Sequence, residues 1–212
     1  MRKFILWDND GVLVDTEQWY FTATQRALAQ LNISLKKSDY LQIMAQGKSS
    51  WDMAAAAGVS DQVAQKKREE RDQYYQQYLV EKDIEIPGVL EVLKVLADSY
   101  RMAIVTTSKR APFELIHQHR GILPMMEFVL AREDYEHSKP DPEPYLMALD
   151  RLGAKADEAV VIEDSQRGLR SAIAAGIDCV VVYNNFTVTH DFTGATRLIQ
   201  SLDELPGVLE SL

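Results

Sequence analysis

The feature that most constrains the fold lies in the second half of the chain, where short, almost wholly apolar runs alternate with amphipathic segments. RMAIVTT (101–107), MEFVLA (126–131), AVVIED (159–164) and CVVVYN (179–184) read as strands. APFELIHQH, PEPYLMALDRLG and SQRGLRSAIAAG, which separate them, read as helices. Strands apolar on both faces belong to a parallel sheet covered by helices on both sides, because parallel neighbours are joined by crossover helices. One more such run, KFILW (3–7), opens the chain.

Between that first strand and the alternating region the texture differs. From about Glu17 to Val80 the chain is rich in Ala, Gln, Glu and Lys and has a helical pattern, with a break at QGKSS (46–50) and no strand signal. EIPGVLEVLKVLAD then opens with Pro-Gly and runs on as an amphipathic helix. The economical architecture is a doubly wound, Rossmann-like α/β parallel-sheet core, residues 1–16 and 83–212, with an α-helical domain inserted at 17–82. A length of 212 residues suits one large domain or a core with an insert.

Ligands of such a core bind beyond the carboxyl ends of the strands. The residues expected there are Asp8-Asn9-Asp10-Gly11, Thr106-Thr107-Ser108-Lys109, Glu133-Asp134 with Ser138-Lys139-Pro140-Asp141, and Glu163-Asp164-Ser165. Carboxylates at close range need a counter-charge to stay ionised together. A hard divalent ion such as Mg²⁺ supplies it through carboxylates, waters and phosphate oxygens, while a lysine and hydroxyls hold the remaining phosphate oxygens. Gly11 lets backbone N–H groups approach an anion. The pattern points to a metal-and-phosphate site.

Charge agrees with a small anionic substrate held at a local cation rather than with a polyanion. Lys plus Arg number 23 and Asp plus Glu 32, a formal net charge of −9, which argues against nucleic acid or an anionic membrane as partner. No run approaches the roughly 20 apolar residues of a membrane helix, and MRKFILWDND is too short to read as a signal peptide, so the expected compartment is the cytoplasm. The single cysteine, Cys179, sits in an apolar run and is expected in the core.

Four motifs in order, DNDGVLVDTE, IVTTSK, SKPDPEPY and VIEDSQRG, resemble those of the haloacid dehalogenase-like hydrolase superfamily, in the branch with a helical cap inserted after the first strand. That branch includes phosphoglycolate phosphatase, sugar-phosphate phosphatases and β-phosphoglucomutase. The resemblance spans essentially the whole chain. It implies that Asp8 is the nucleophile that forms an aspartyl-phosphate and that Asp10 is the general acid/base. It implies that Thr106 grips the phosphoryl group and Lys139 offsets its charge. Asp8, Asp10 through its main-chain carbonyl, Asp164 and Glu163 would hold Mg²⁺, with Glu163 either a ligand or the holder of a metal-bound water. Thr107, Ser108 and Lys109 would contact substrate from the core. From the cap, Gln46, Gly47, Lys48, Ser49 and Trp51 match the position of the specificity loop, and Thr16 the hinge.

The implied activity is hydrolysis of a small phosphorylated metabolite by a monomeric enzyme. The alternatives are a phosphosugar mutase and a phospho-accepting regulatory module. The mutase-like members carry a phosphate-gripping arginine where this chain has Ser50. Receiver modules lack a helical insert, which suits a lid that excludes water and selects substrate. A dehalogenase needs neither a second aspartate nor a metal. Other conspicuous residues carry plainer readings. KKREER (66–71) is expected as a solvated helix face, and Tyr74, Tyr75 and Tyr78 as cap packing. Trp7 is expected in the core, and His117 and His119, two apart, do not share a helix face as metal ligands would.

Overall fold

In the computed structural model, which describes residues 2–212, β1 (Phe4–Trp7) is followed by α1 (Glu17–Ala29), α2 (Lys37–Ala45), α3 (Asp52–Ala56) and α4 (Asp61–Glu81). Then come α5 (Val89–Ala97), β2 (Arg101–Val105), α6 (Arg110–His117), β3 (Val129–Leu130), α7 (Glu143–Leu152) and β4 (Ala159–Glu163). The chain ends with α8 (Gln166–Ala174), β5 (Asp178–Val182), β6 (Arg197–Ile199) and α9 (Leu205–Glu210). The backbone divides into two compact units, the stretch up to Asp15 with Glu85–Leu212, and Thr16–Ile84.

The first unit is a six-stranded sheet in the order β3-β2-β1-β4-β5-β6, parallel throughout. The chain winds outward from β1 through β2 and β3, then returns to β4 on the other side of β1. The carboxyl end of β1 is therefore the switch point at which such sheets bind ligands. Trp7 pairs with Ile104 on one side and Ile162 on the other, so the next residue, Asp8, emerges between Val105 and Glu163.

Side-chain alternation divides the core in two. Ile5, Trp7, Ile104, Ile162 and Val180 face one layer with Leu93, Phe113 and Leu205. Leu6, Val105, Val161, Cys179 and Val181 face the other with Tyr145, Leu149 and Leu169. Trp7 and Cys179 are thus core residues, as expected.

Two elements differ from the sequence expectation. The strand anticipated at 126–131 is regular only at Val129–Leu130, although Glu127 N–H already donates to Met102 O, and a short 3₁₀ turn at Leu123–Met125 precedes it. The edge strand β6 was not anticipated, since it is three residues long and leaves Arg197 and Leu198 exposed.

The second unit is helical. It has three breaks rather than one, the additional ones falling between α1 and α2 and between α3 and α4. Helices α1 and α4 pack through aromatic rings, Tyr20 against Tyr75 edge-on at 5.1 Å and Trp19 near Tyr78 at 6.0 Å. One member of the charged run 66–71 is not solvated. Arg71 is buried, donates to the Tyr20 hydroxyl at 2.6 Å, pairs with Asp72 at 2.7 Å and lies over the Tyr20 ring. Its guanidinium can lie buried there because Asp72 and the Tyr20 hydroxyl accept from it.

Candidate active site

The site is assembled from four loops at the carboxyl edge of the sheet. Strand β1 delivers Asp8, whose N–H donates to Ile162 O at 2.9 Å and so keeps sheet register to the last residue. The backbone then turns tightly. Asn9 O accepts from the N–H groups of Val12, Leu13 and Val14. Gly11 has φ of +90°, and a Cβ there would collide with the Asp164 carboxylate. Only glycine allows these two loops to approach so closely.

Lys139 lies at the centre. It is 3% exposed, and its ammonium donates to Asp8 Oδ1 at 2.7 Å, Glu163 Oε1 at 2.7 Å and Val105 O at 2.8 Å, which uses all three donors. It stands 4.7 Å from the centre of the Tyr145 ring, whose hydroxyl donates to Glu163 Oε1 at 2.9 Å. The other Glu163 oxygen accepts from Ser165 Oγ at 2.9 Å and from the N–H groups of Asp164 and Ser165. Both oxygens of Glu163 are thus engaged by protein donors. Gly168 lies against this carboxylate so closely that a Cβ would overlap it.

One lysine facing two buried carboxylates divides their proton affinities. Burial alone would raise Glu163, but Lys139 and the surrounding donors outweigh it and hold its carboxyl below the usual range. Asp8 goes the other way. Burial first, then the charge of Glu163, push it up to about 7 against the pull of Lys139. Burial opposes the charge of Lys139 too, but the carboxylates of Asp8 and Glu163 win and raise its pKa. A divalent ion would compete with that proton on Asp8.

Asp10 is held from the β2 loop. The hydroxyls of Ser108 and Thr106 donate to its Oδ2 at 2.7 and 3.2 Å, and the Ser108 N–H donates to Thr106 Oγ1 at 3.0 Å. Tyr135 fixes the same loop by donating to Thr106 O at 2.7 Å. Asp8, Glu163 and Asp164 each offer one carboxylate oxygen within 4.8 Å of the others. The hard carboxylate oxygens of Asp8 and Asp164, with a glycine where a side chain would intrude and Glu163 held by protein donors beside them, fit a small divalent cation.

The structure thus brings together Asp8, Asp10, Thr106, Ser108, Lys139, Glu163 and Asp164. Glu133 and Asp134, expected at the same edge, engage Arg110 at the start of α6: Glu133 accepts from its N–H at 3.0 Å and Asp134 pairs with its guanidinium. Thr107 is half-buried and Lys109 exposed at the start of α6. In the helical unit, Gln46, Gly47, Lys48 and Ser49 form an exposed turn between α2 and α3. Trp51 is buried with Arg68 over its ring, and Thr16 is buried, its carbonyl accepting from the N–H groups of Trp19 and Tyr20. Sequence reasoning missed Tyr145, although it ends the SKPDPEPY motif, and it missed His117. That imidazole is buried, with Nε2 2.6 Å from Asn9 Oδ1, directly behind the turn that carries both aspartates.

Comparison with known proteins agrees with this geometry. Residues 5–182 match the family model described as haloacid dehalogenase-like hydrolase. The chain belongs to that family. It is 28% identical to protein CbbY of Rhodobacter capsulatus over 96% of this chain and 99% of that one. It is 28% identical to a phosphorylated carbohydrates phosphatase of Thermotoga maritima, covering 93% of this chain and 90% of the relative. The crystal structure of CbbY from Rhodobacter sphaeroides in complex with phosphate superimposes with a TM-score of 0.81 at 24% identity, covering 97% of this chain and 96% of that one. As a family member the chain is a hydrolase, and its Rossmann-like sheet is that of its structural neighbours. Among the described residues no helix is long and apolar enough to cross a membrane.

Proposed function

We propose that this haloacid dehalogenase-like hydrolase is a Mg²⁺-dependent phosphatase that cleaves the phosphate monoester of a small metabolite. The observation that carries the reading is the Asp8–Lys139–Glu163 arrangement, a carboxylate at the sheet's switch point held by a buried ammonium and backed by a second acid.

Asp8 attacks phosphorus, the bond from phosphorus to the ester oxygen breaks, and an aspartyl-phosphate forms. Asp10 gives its proton to the departing oxygen, then takes one from the water that hydrolyses the intermediate. Lys139 offsets the charge that accumulates on Asp8 and the phosphoryl oxygens. The Thr106 hydroxyl passes from Asp10 to a phosphoryl oxygen. Asp8, Asp164 and the main-chain carbonyl of Asp10 would hold Mg²⁺, which neutralises phosphoryl charge when bound. Glu163, saturated with donors, orients Lys139 and keeps it charged. Thr107, Lys109 and the exposed turn Gln46–Lys48 are assigned to substrate contact, Thr16 to the hinge, and the segment 17–82 to the role of cap.

Sugar phosphates come first as substrates, because the Thermotoga maritima relative carries the name of a phosphorylated carbohydrates phosphatase. The test is phosphate release, with and without Mg²⁺, from sugar phosphates, phosphoglycolate, nucleotides and an aryl phosphate, with Asp8→Asn protein as blank. Mg²⁺-dependent turnover that disappears in the variant is expected. No release above the blank from any member of the panel overturns the reading.

A further inference from the structure

The segment after β5 reaches back into the site, and none of its residues belongs to the four motifs. Asn184, Asn185, Phe186 and Thr187 form a turn closed twice. Thr187 N–H donates to Asn184 O at 3.1 Å, and Phe186 N–H donates to the side-chain Oδ1 of Asn184 at 2.7 Å. The second bond fixes which end of the Asn184 amide faces inward. Its Nδ2 donates to Gly11 O at 3.1 Å. At the other end of the turn the buried Thr187 hydroxyl donates to Asp164 O at 2.6 Å and lies 3.4 Å from the Oδ2 of the same residue. The chain then returns to the start of α8, where Gln166 N–H donates to His190 Nδ1 at 3.3 Å.

A single four-residue turn thus grips both acid-bearing loops, the β1 loop at Gly11 and the β4 loop at Asp164. These are the two loops that Gly11 already brings into contact with each other. We infer that Asn184 and Thr187 are positioning residues that set the separation of Asp8 and Asp164 for the divalent cation. The inference rests on the metal site proposed above. A turn that served only to cover the sheet edge would need neither side chain aimed at those loops. Groups one bond removed from metal ligands fix the ligands' orientation, and their loss typically weakens metal binding 10- to 100-fold.

The test uses the full chain without substrate. Free Mn²⁺ is measured by electron paramagnetic resonance during titration into wild type, Thr187→Ser, Thr187→Val and Asn184→Ala, with the metal-free Tm of each recorded alongside. Thr187→Val is expected to bind Mn²⁺ at least about 10-fold more weakly, Thr187→Ser to stay near wild type because it keeps the hydroxyl, and Asn184→Ala to weaken binding with a small change in Tm. The inference is overturned if Thr187→Val and Asn184→Ala bind like wild type, or if Thr187→Ser loses as much affinity as Thr187→Val. Asn184 is only half-buried, so its variant decides the matter should Thr187→Val fail to fold. Wild-type protein that binds no Mn²⁺ would instead sink the metal site itself.

Discussion

The Ser108 hydroxyl donates to Asp10 Oδ2 at 2.7 Å, and Thr106 donates to the same oxygen at 3.2 Å. Ser108, expected to touch substrate, also holds the proposed acid/base by this bond. A hydrogen bond to a charged group contributes about 1.5–3 kcal/mol, so Ser108→Ala is expected to lower kcat by roughly 10-fold or more. KM should stay within about threefold, since binding groups are untouched. Steady-state kinetics on the best substrate of the panel decides it. A raised KM with unchanged kcat would return Ser108 to the substrate.

Lys139→Met removes the shared cation and leaves Asp8 and Glu163 buried against each other. Breaking a buried pair in this way costs about 3–5 kcal/mol. Without the ammonium the folded-state pKa values of both carboxyls rise, so each resists ionisation more in the folded than in the unfolded chain. Their contribution is then present at low pH and lost as pH rises through the folded values. The variant should therefore regain stability, relative to wild type, between pH 8 and 5. Urea denaturation of the metal-free proteins across that range measures it, and a constant gap between the two would refute the account.

How much of this was legible beforehand follows from where each interaction lies. Asp8, Asp10, Lys139 and Glu163-Asp164 stand at the ends of apolar runs, and a parallel sheet brings such ends together whatever the details. That ligands would bind beyond those ends followed from the same pattern, while the switch point at β1 needed the strand order. The contacts behind them did not. His117 was weighed only against His119, two residues away, whereas its partner Asn9 is 108 residues distant. Tyr145 reads as one more apolar position of α7, and only packing reveals that its hydroxyl ends on Glu163. Thr187 lies in a polar stretch without periodicity, so nothing local marks it. The short strands β3 and β6 were blurred for a related reason, since two or three residues cannot display a period.

Tyr145 plays two separable parts, as a donor to Glu163 and as a ring beside the Lys139 ammonium. Tyr145→Phe removes only the first. Glu163 keeps its other donors, so a loss of about 1.5 kcal/mol is expected, the lower end for a hydrogen bond to a charge. Tyr145→Leu also removes the cation–π contact and leaves a cavity, and should cost about 3 kcal/mol or more. Denaturant midpoints at pH 7 compare the two. Equal losses would show that the ring beside the ammonium contributes nothing beyond the hydroxyl, and no loss in Tyr145→Phe would show that the hydroxyl contributes nothing.

His117 should make the fold sensitive to acid. Asn9 Oδ1 can only accept, so Nε2 carries the hydrogen, and Nδ1 is buried without a partner. Burial pushes the imidazole down to about 4, with the Asp10 charge opposing and Arg120 assisting. A base whose folded pKa is depressed binds its proton more readily when unfolded. Stability is therefore complete above about 6.5 and falls as pH drops toward 4, by up to about 3 kcal/mol at 1.36 kcal/mol per unit. The raised carboxyl of Asp8 works in the opposite sense over much of this range in metal-free protein, so the effect must be read as a difference. His117→Gln keeps a donor for Asn9 but cannot titrate. Its stability deficit relative to wild type, measured by denaturant unfolding at pH 7, 6, 5 and 4, should shrink by about 3 kcal/mol on acidification. A deficit that stays constant over those values would mean that His117 is protonated in the folded protein, or is not buried as the structure has it.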